Sequence, residues 1–120
     1  MKLCVTSTGK DLDSKVEEHF GKAQYFLIID SDTMNFEVAE IPSQLKGRGA
    51  GTSSAHMLLD KSPAAVLTGR MGPNAFSALR LAHVEIYEGV SGNDTVRAAV
   101  EKFKKGEYLE SSEPSGGHGC

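Results

Sequence analysis

The apolar residues of this chain fall in short runs and periodic stripes, separated by polar or glycine-containing turns. Leu3-Cys4-Val5-Thr6 reads as a short strand, and Asp11, Asp13 and Ser14 mark a polar turn after it. Tyr25-Phe26-Leu27-Ile28-Ile29 is an almost unbroken apolar run, too short for a helix and suited to a buried strand. Asp30-Ser31-Asp32-Thr33 is a turn. Phe36 to Ile41 then alternates apolar and polar residues, the period-two pattern of a strand with one wet face, and Pro42 ends it. Residues 25–41 are therefore expected to form a β-hairpin.

Beyond Pro42 the period changes. Ser43 to Gly51 is a loop holding three glycines with Lys46 and Arg48 between them. A helix is predicted next, with Ala55, Leu58 and Leu59 on one face and Met57 nearly opposite, a position that the stripe does not explain. Pro63 stops it. Ala64-Ala65-Val66-Leu67-Thr68 is continuous, as in a strand covered on both faces. Gly69-Arg70-Met71-Gly72 is a turn, and Pro73 suits the first position of a helix whose Ala75, Ala78, Leu79 and Ala82 form a small-residue face. Val84 to Tyr87 is a further strand. Asp94 or Thr95 can cap a last helix, where Val96, Ala99, Val100 and Phe103 follow the helical period and Gly106 suits the end. Strands followed by helix–strand–helix–strand–helix predict an α/β fold, a mixed sheet with helices on its faces.

Length and charge narrow the function. The 120 residues make one domain, and 39% apolar against 24% charged residues is an ordinary globular balance. We expect one domain over residues 1–108 and a flexible C-terminal tail over 109–120, which is rich in Ser, Glu and Gly. The net charge of −3 and the lack of a basic run longer than Lys104-Lys105 argue against nucleic acid. No apolar run approaches the ~18–20 residues that span a bilayer. Two cysteines are too few for a disulfide scaffold, so a reduced cytoplasmic setting is expected.

Candidate chemistry is sparse. His19 lies between a polar turn and the apolar strand, preceded by Glu17 and Glu18 and followed by Phe20 and Gly21. It is either an exposed surface histidine or an imidazole offered to a metal, with the glutamates behind it and Gly21 allowing close approach. Gly47-Arg48-Gly49-Ala50-Gly51 is either a plain linker or a cationic cradle for an anion; it matches neither a dinucleotide nor a Walker fingerprint. Thr68 to Asn74 opens a helix from the carboxyl end of a buried strand. That is where open α/β sheets bind ligands, and Arg70 and Asn74 sit there. Cys4 is expected to be an inert core thiol, and His56 and His83 to be packing or capping residues. His118 and Cys120 could join a metal site but do not fill one. No nucleophile–base pair is evident, so a hydrolase or transferase ranks last, behind a binding module for a small organic or phosphorylated anion.

Taken in order, Gly9-Lys10-Asp11-Leu12-Asp13-Ser14, Glu18-His19-Phe20-Gly21-Lys22-Ala23, Gly49-Ala50-Gly51, Leu67-Thr68-Gly69 and Gly72-Pro73-Asn74-Ala75 resemble the dinitrogenase iron-molybdenum cofactor biosynthesis family. This is the domain of NifX-type and NafY-type carriers and of the NifB C-terminus, and the likeness runs from Met1 to about Tyr108. It implies a three-layer, ribonuclease-H-like fold with a five-stranded mixed sheet. It implies no ribonuclease activity, because the first strand lacks a carboxylate. It implies a non-enzymatic carrier of an iron–sulfur or iron–molybdenum type cluster or precursor, with cluster donor and acceptor proteins as partners. His19 matches the cluster-linked histidine. Phe20, Gly21, Arg48, Gly49, Gly51, Arg70 and Asn74 would surround the cargo.

Overall fold

The computed structural model describes residues 1–42 and 50–114. Five strands form one sheet in the order β3-β2-β1-β4-β5. They are β1 (Lys2–Ser7), β2 (Tyr25–Asp30), β3 (Phe36–Glu40), β4 (Ala65–Leu67) and β5 (Glu85–Tyr87). The β1–β2 and β2–β3 pairs are antiparallel, and the β1–β4 and β4–β5 pairs are parallel. The sheet is mixed, as expected. A 3-10 turn at Phe20–Lys22 and three helices are the other elements of the described residues: α1 (Ala50–Leu59), α2 (Pro73–Leu81) and α3 (Val96–Lys104).

Alternation along the strands decides which helix lies where. Cys4, Phe26, Ile28, Val66 and Ile86 pack with Ala55 and Leu58 of α1 and with Ala75, Phe76 and Leu79 of α2. Leu3, Val5, Leu27, Ile29, Ala65 and Leu67 point the other way and pack with Val96, Ala99 and Val100 of α3. Two helices therefore cover one face and one covers the other. Met57 is partly buried against the two-helix core, because α1 packs against α2 as well as the sheet. That double contact widens its apolar face beyond a single stripe and accounts for Met57.

The single helix leaves one flank open. Ala39 and Ile41 are buried on the two-helix side, as alternation in β3 predicts. Phe36 and Val38, on the α3 side, are 40% and 38% exposed. The wet face of this edge strand thus carries two of its apolar residues, because α3 packs over β1 rather than β3.

Helix ends follow the local chemistry. Thr95, not Asp94, caps α3, its Oγ1 accepting from Ala98 N at 3.1 Å. Gly106, at φ 77°, closes the other end; its N–H donates to Phe103 O, and that of Glu107 to Lys102 O. His83 does the same work for α2 at φ 63°. Within the segment read as a tail, Glu110 bridges Tyr87, and Ser111 N donates to Ile86 O at 2.7 Å. Arg80 Nη1 donates to Ser111 O, so residues 110 and 111 have partners along the outer edge of β5. Among the described residues no helix is long and apolar enough to cross a membrane.

Candidate functional site at the carboxyl end of the parallel strands

β1, β4 and β5 run in the same direction, so their carboxyl ends meet at one end of the sheet. Three loops leave there: residues 8–24 after β1, 68–72 after β4 and 88–95 after β5. Helices α2 and α3 begin there because they follow β4 and β5 directly. The N-terminus of α1 points to the same end, because its C-terminus leads into the start of β4, and α1 packs against the Phe20–Lys22 turn. Each helix N-terminus contributes partial positive charge.

Hydrogen bonds hold the three loops against one another. Arg70 N donates to Glu18 O at 2.7 Å and Phe20 N to Arg70 O at 3.0 Å, which places His19 directly beside Arg70. Gly89 N donates to Gly69 O at 2.8 Å, and Met71 N to a Glu88 carboxylate oxygen at 2.9 Å. Beneath them lie two fully buried threonines. Thr6 Oγ1 donates to Glu17 O at 2.7 Å and shares a 2.9 Å hydrogen bond with Thr68 Oγ1.

His19 keeps its imidazole accessible, 40% exposed. Its backbone N–H donates to Glu17 Oε2 at 3.1 Å, and the ring Nδ1 stands 3.7 Å from the same oxygen. Glu17 therefore orients the histidine from behind; Arg70, bridged to it, is exposed, as is Asn74 in the first turn of α2. The neighbouring ring plays another part. Phe20 is 1% exposed and stacks on Phe26 at 5.5 Å, so it anchors the loop in the core instead of lining the site.

The three helix N-termini are not equivalent. That of α3 is closed, since Val96 N donates to Ser14 O and Arg97 N to Leu12 O. That of α2 begins at Gly72, which has no side chain to cap it, with Pro73 next and Asn74 second. An anion at this end would thus meet the start of α2, with Arg70 and His19 to one side.

The family profile described as dinitrogenase iron-molybdenum cofactor matches residues 1–106. The chain belongs to this family. The solved apo form of the orange protein from Desulfovibrio gigas is 34% identical, with 95% of each chain covered and a TM-score of 0.88. A Thermotoga protein described as a NifB candidate of the DUF35 family is 32% identical, with 91% of each chain covered and a TM-score of 0.77. An uncharacterised protein of Methanocaldococcus jannaschii is 22% identical over 97 residues, 78% of this chain and 80% of its own.

The fold brings His19, Gly21, Arg70 and Asn74 to one end of the sheet. Gly51 lies in the first turn of α1, whose N-terminus faces that end. Arg48, Gly49, His118 and Cys120 lie outside the described residues. Cys4 is fully buried, and burial pushes its thiol well above the usual range, which removes it as a thiolate ligand. His56 and His83 are exposed. Among the described residues no three His, Cys, Asp or Glu side chains gather as a metal site. Sequence reasoning did not find the buried Thr6–Thr68 pair or the bonding of Glu18 and Glu88, because each joins residues far apart in the chain.

Proposed function

We propose that this protein binds and carries, without catalysing a reaction, an anionic metal–sulfur cluster of iron–sulfur or iron–molybdenum type, or its precursor. The observation that carries the reading is the accessible His19 imidazole, fixed beside Arg70 at the open start of α2. An imidazole supplies one metal bond; the guanidinium and the helix start supply positive potential to a cargo rich in negative charge. Family membership supports the cargo class. The Desulfovibrio gigas relative is called the orange protein, and its solved structure is an apo form. Cluster donor and acceptor proteins would be its partners.

Anaerobic protein given iron and sulfide, with and without molybdate, should gain visible absorbance that survives gel filtration. His19→Ala should lose it while altering stability by no more than about 0.5 kcal/mol, as for an exposed side chain. Arg70→Ala should weaken retention less, and its effect should shrink with salt, because exposed charges are screened beyond about 8 Å. Equal retention by His19→Ala and wild type would remove the histidine from the site. The uncapped start of α2 also favours a second reading, a small organic or phosphorylated anion. A protein that stays colourless but binds phosphate calorimetrically would establish that one instead.

A further inference from the structure

Two carboxylates stand where an anion is to bind, and one of them, Glu18, meets both neighbouring loops. Its carbonyl accepts from Arg70 N, and its Oε2 accepts from Gly92 N at 2.6 Å. Two glycines are fitted to it. A Cβ on Gly69 would lie 2.6 Å from Glu18 O and 2.8 Å from its Cα. A Cβ on Gly92 would lie 2.9 Å from Oε2 and 3.1 Å from Cγ. These separations are below van der Waals contact: a side chain at Gly69 would strike backbone, and one at Gly92 would displace the Glu18 carboxylate from its bond. Glu88 joins the 88–95 loop to Met71, and Glu18 joins it back to the loop that carries His19. The three loops thus form a closed ring, in which Glu18 is the link next to the histidine.

A negative side chain beside an anion site opposes binding through its charge, so its contribution must come from its reach. We propose that Glu18, beside Glu17, is a second positioning residue for His19. Its carboxylate fastens Gly92 while its own carbonyl takes the Arg70 amide, and together they fix the backbone from which the imidazole is presented. This rests on the reading of His19 as the cargo's anchor.

The test compares Glu18→Gln, Glu18→Asp and Glu18→Ala. Gln keeps an acceptor oxygen at the same reach without the charge; Asp withdraws it by one methylene; Ala removes it. In ligand-free protein, NMR follows the exchange of the Gly92 amide and the His19 ring signals. The Ala and Asp variants should speed Gly92 exchange about tenfold, the scale of one lost hydrogen bond to a charged group, and should shift the His19 ring. Gln should restore both. With an iron–sulfide chromophore loaded and challenged by a chelator, Ala and Asp should shorten its lifetime severalfold, while Gln holds it at least as long as wild type. His19 signals unmoved in Ala, or a Gln variant that behaves like Ala, would overturn the proposal. If wild type forms no chromophore, the cluster reading fails, and the ligand-free measurements still decide whether Glu18 positions His19.

Discussion

The two ends of the sheet are built on opposite plans. At the amino end of β1, β4 and β5 the reversals close largely within themselves. Residues 30–35 do so through Asp30, Thr33 and Met34, residues 57–62 through Lys61 and Ser62, and residues 79–84 through His83 and Val84. Among the described residues, the non-glycine residues at positive φ, Met34, Ser62 and His83, all lie there. At the carboxyl end the loops bond to one another; Gly69 lies against the Glu18 backbone and Gly92 against the Glu18 side chain, and Gly89 takes the left-handed bend at φ 89°. Local closure makes an end that single substitutions disturb little. Mutual closure makes an end where moving one loop moves all three, and that is the end where His19 and Arg70 meet.

The contrast is broken most directly at Gly69. An alanine there drives its Cβ into Glu18's backbone, which has no flexible tip to swing aside. Gly69→Ala should cost about 1–3 kcal/mol, as overpacking does, and lower the urea midpoint accordingly. A midpoint unchanged from wild type would mean that the loops are not tightly apposed. Thr6→Val probes the layer below. It leaves Thr68 and the Glu17 carbonyl without their shared partner and should cost roughly 1–2 kcal/mol. The Thr6→Val, Thr68→Val double variant should recover part of that loss, because it removes both hydroxyls together.

Much of the fold is legible in the sequence because each element has its own period. The Tyr25–Ile29 run, the Ala64–Thr68 run and the α3 stripe each specify a type and a burial without help from elsewhere. Thr95 and Gly106 are local caps, readable from residue type. What escapes is whatever depends on a partner distant in the chain. Phe36 and Val38 alternate like buried residues, yet no helix reaches over them. Phe20 reads as part of a ligand motif, yet its ring belongs to the core. Glycines 69 and 92 read as turn residues, when what they accommodate is Glu18. His19 is readable as a candidate, whereas its place beside Arg70 depends on a bridge that no local pattern encodes.

A smaller effect, of opposite sign, is expected at the other end. His83 occupies the position after α2 where glycine is favoured, and the left-handed conformation costs a non-glycine residue roughly 1–2 kcal/mol. Glycine removes that strain but adds freedom to the unfolded chain, so His83→Gly should stabilise by about 0.5–1 kcal/mol. A melting temperature raised by about 2–4 °C would show it. A lowered one would mean that the exposed imidazole makes contacts worth more than the strain.

The smallest effect concerns Asp30, in the hairpin turn at the amino end. The Asp32 amide, above all, holds its carboxyl below the ordinary 3.8, with the Thr33 amide and the N-terminal ammonium adding to it against a desolvation effect in the other direction. A folded pKa below the unfolded one stabilises fully above the unfolded value, and that share is lost as pH falls through the folded one. Asp30→Asn keeps an oxygen to accept from Asp32 N–H but cannot titrate. Its stability at neutral pH should therefore fall slightly below wild type, by the share the carboxylate supplies, while its decline in acid, below about pH 4, should be shallower. Urea midpoints measured at neutral pH and near pH 3 check both halves, and parallel acid declines would remove Asp30 from the balance. The His19 ring signals sharpen the comparison further. They should not move in Asp30→Asn, because the turn's partners outside itself, Met1 and Lys104, also lie at the amino end of the sheet, away from the loops at the opposite end.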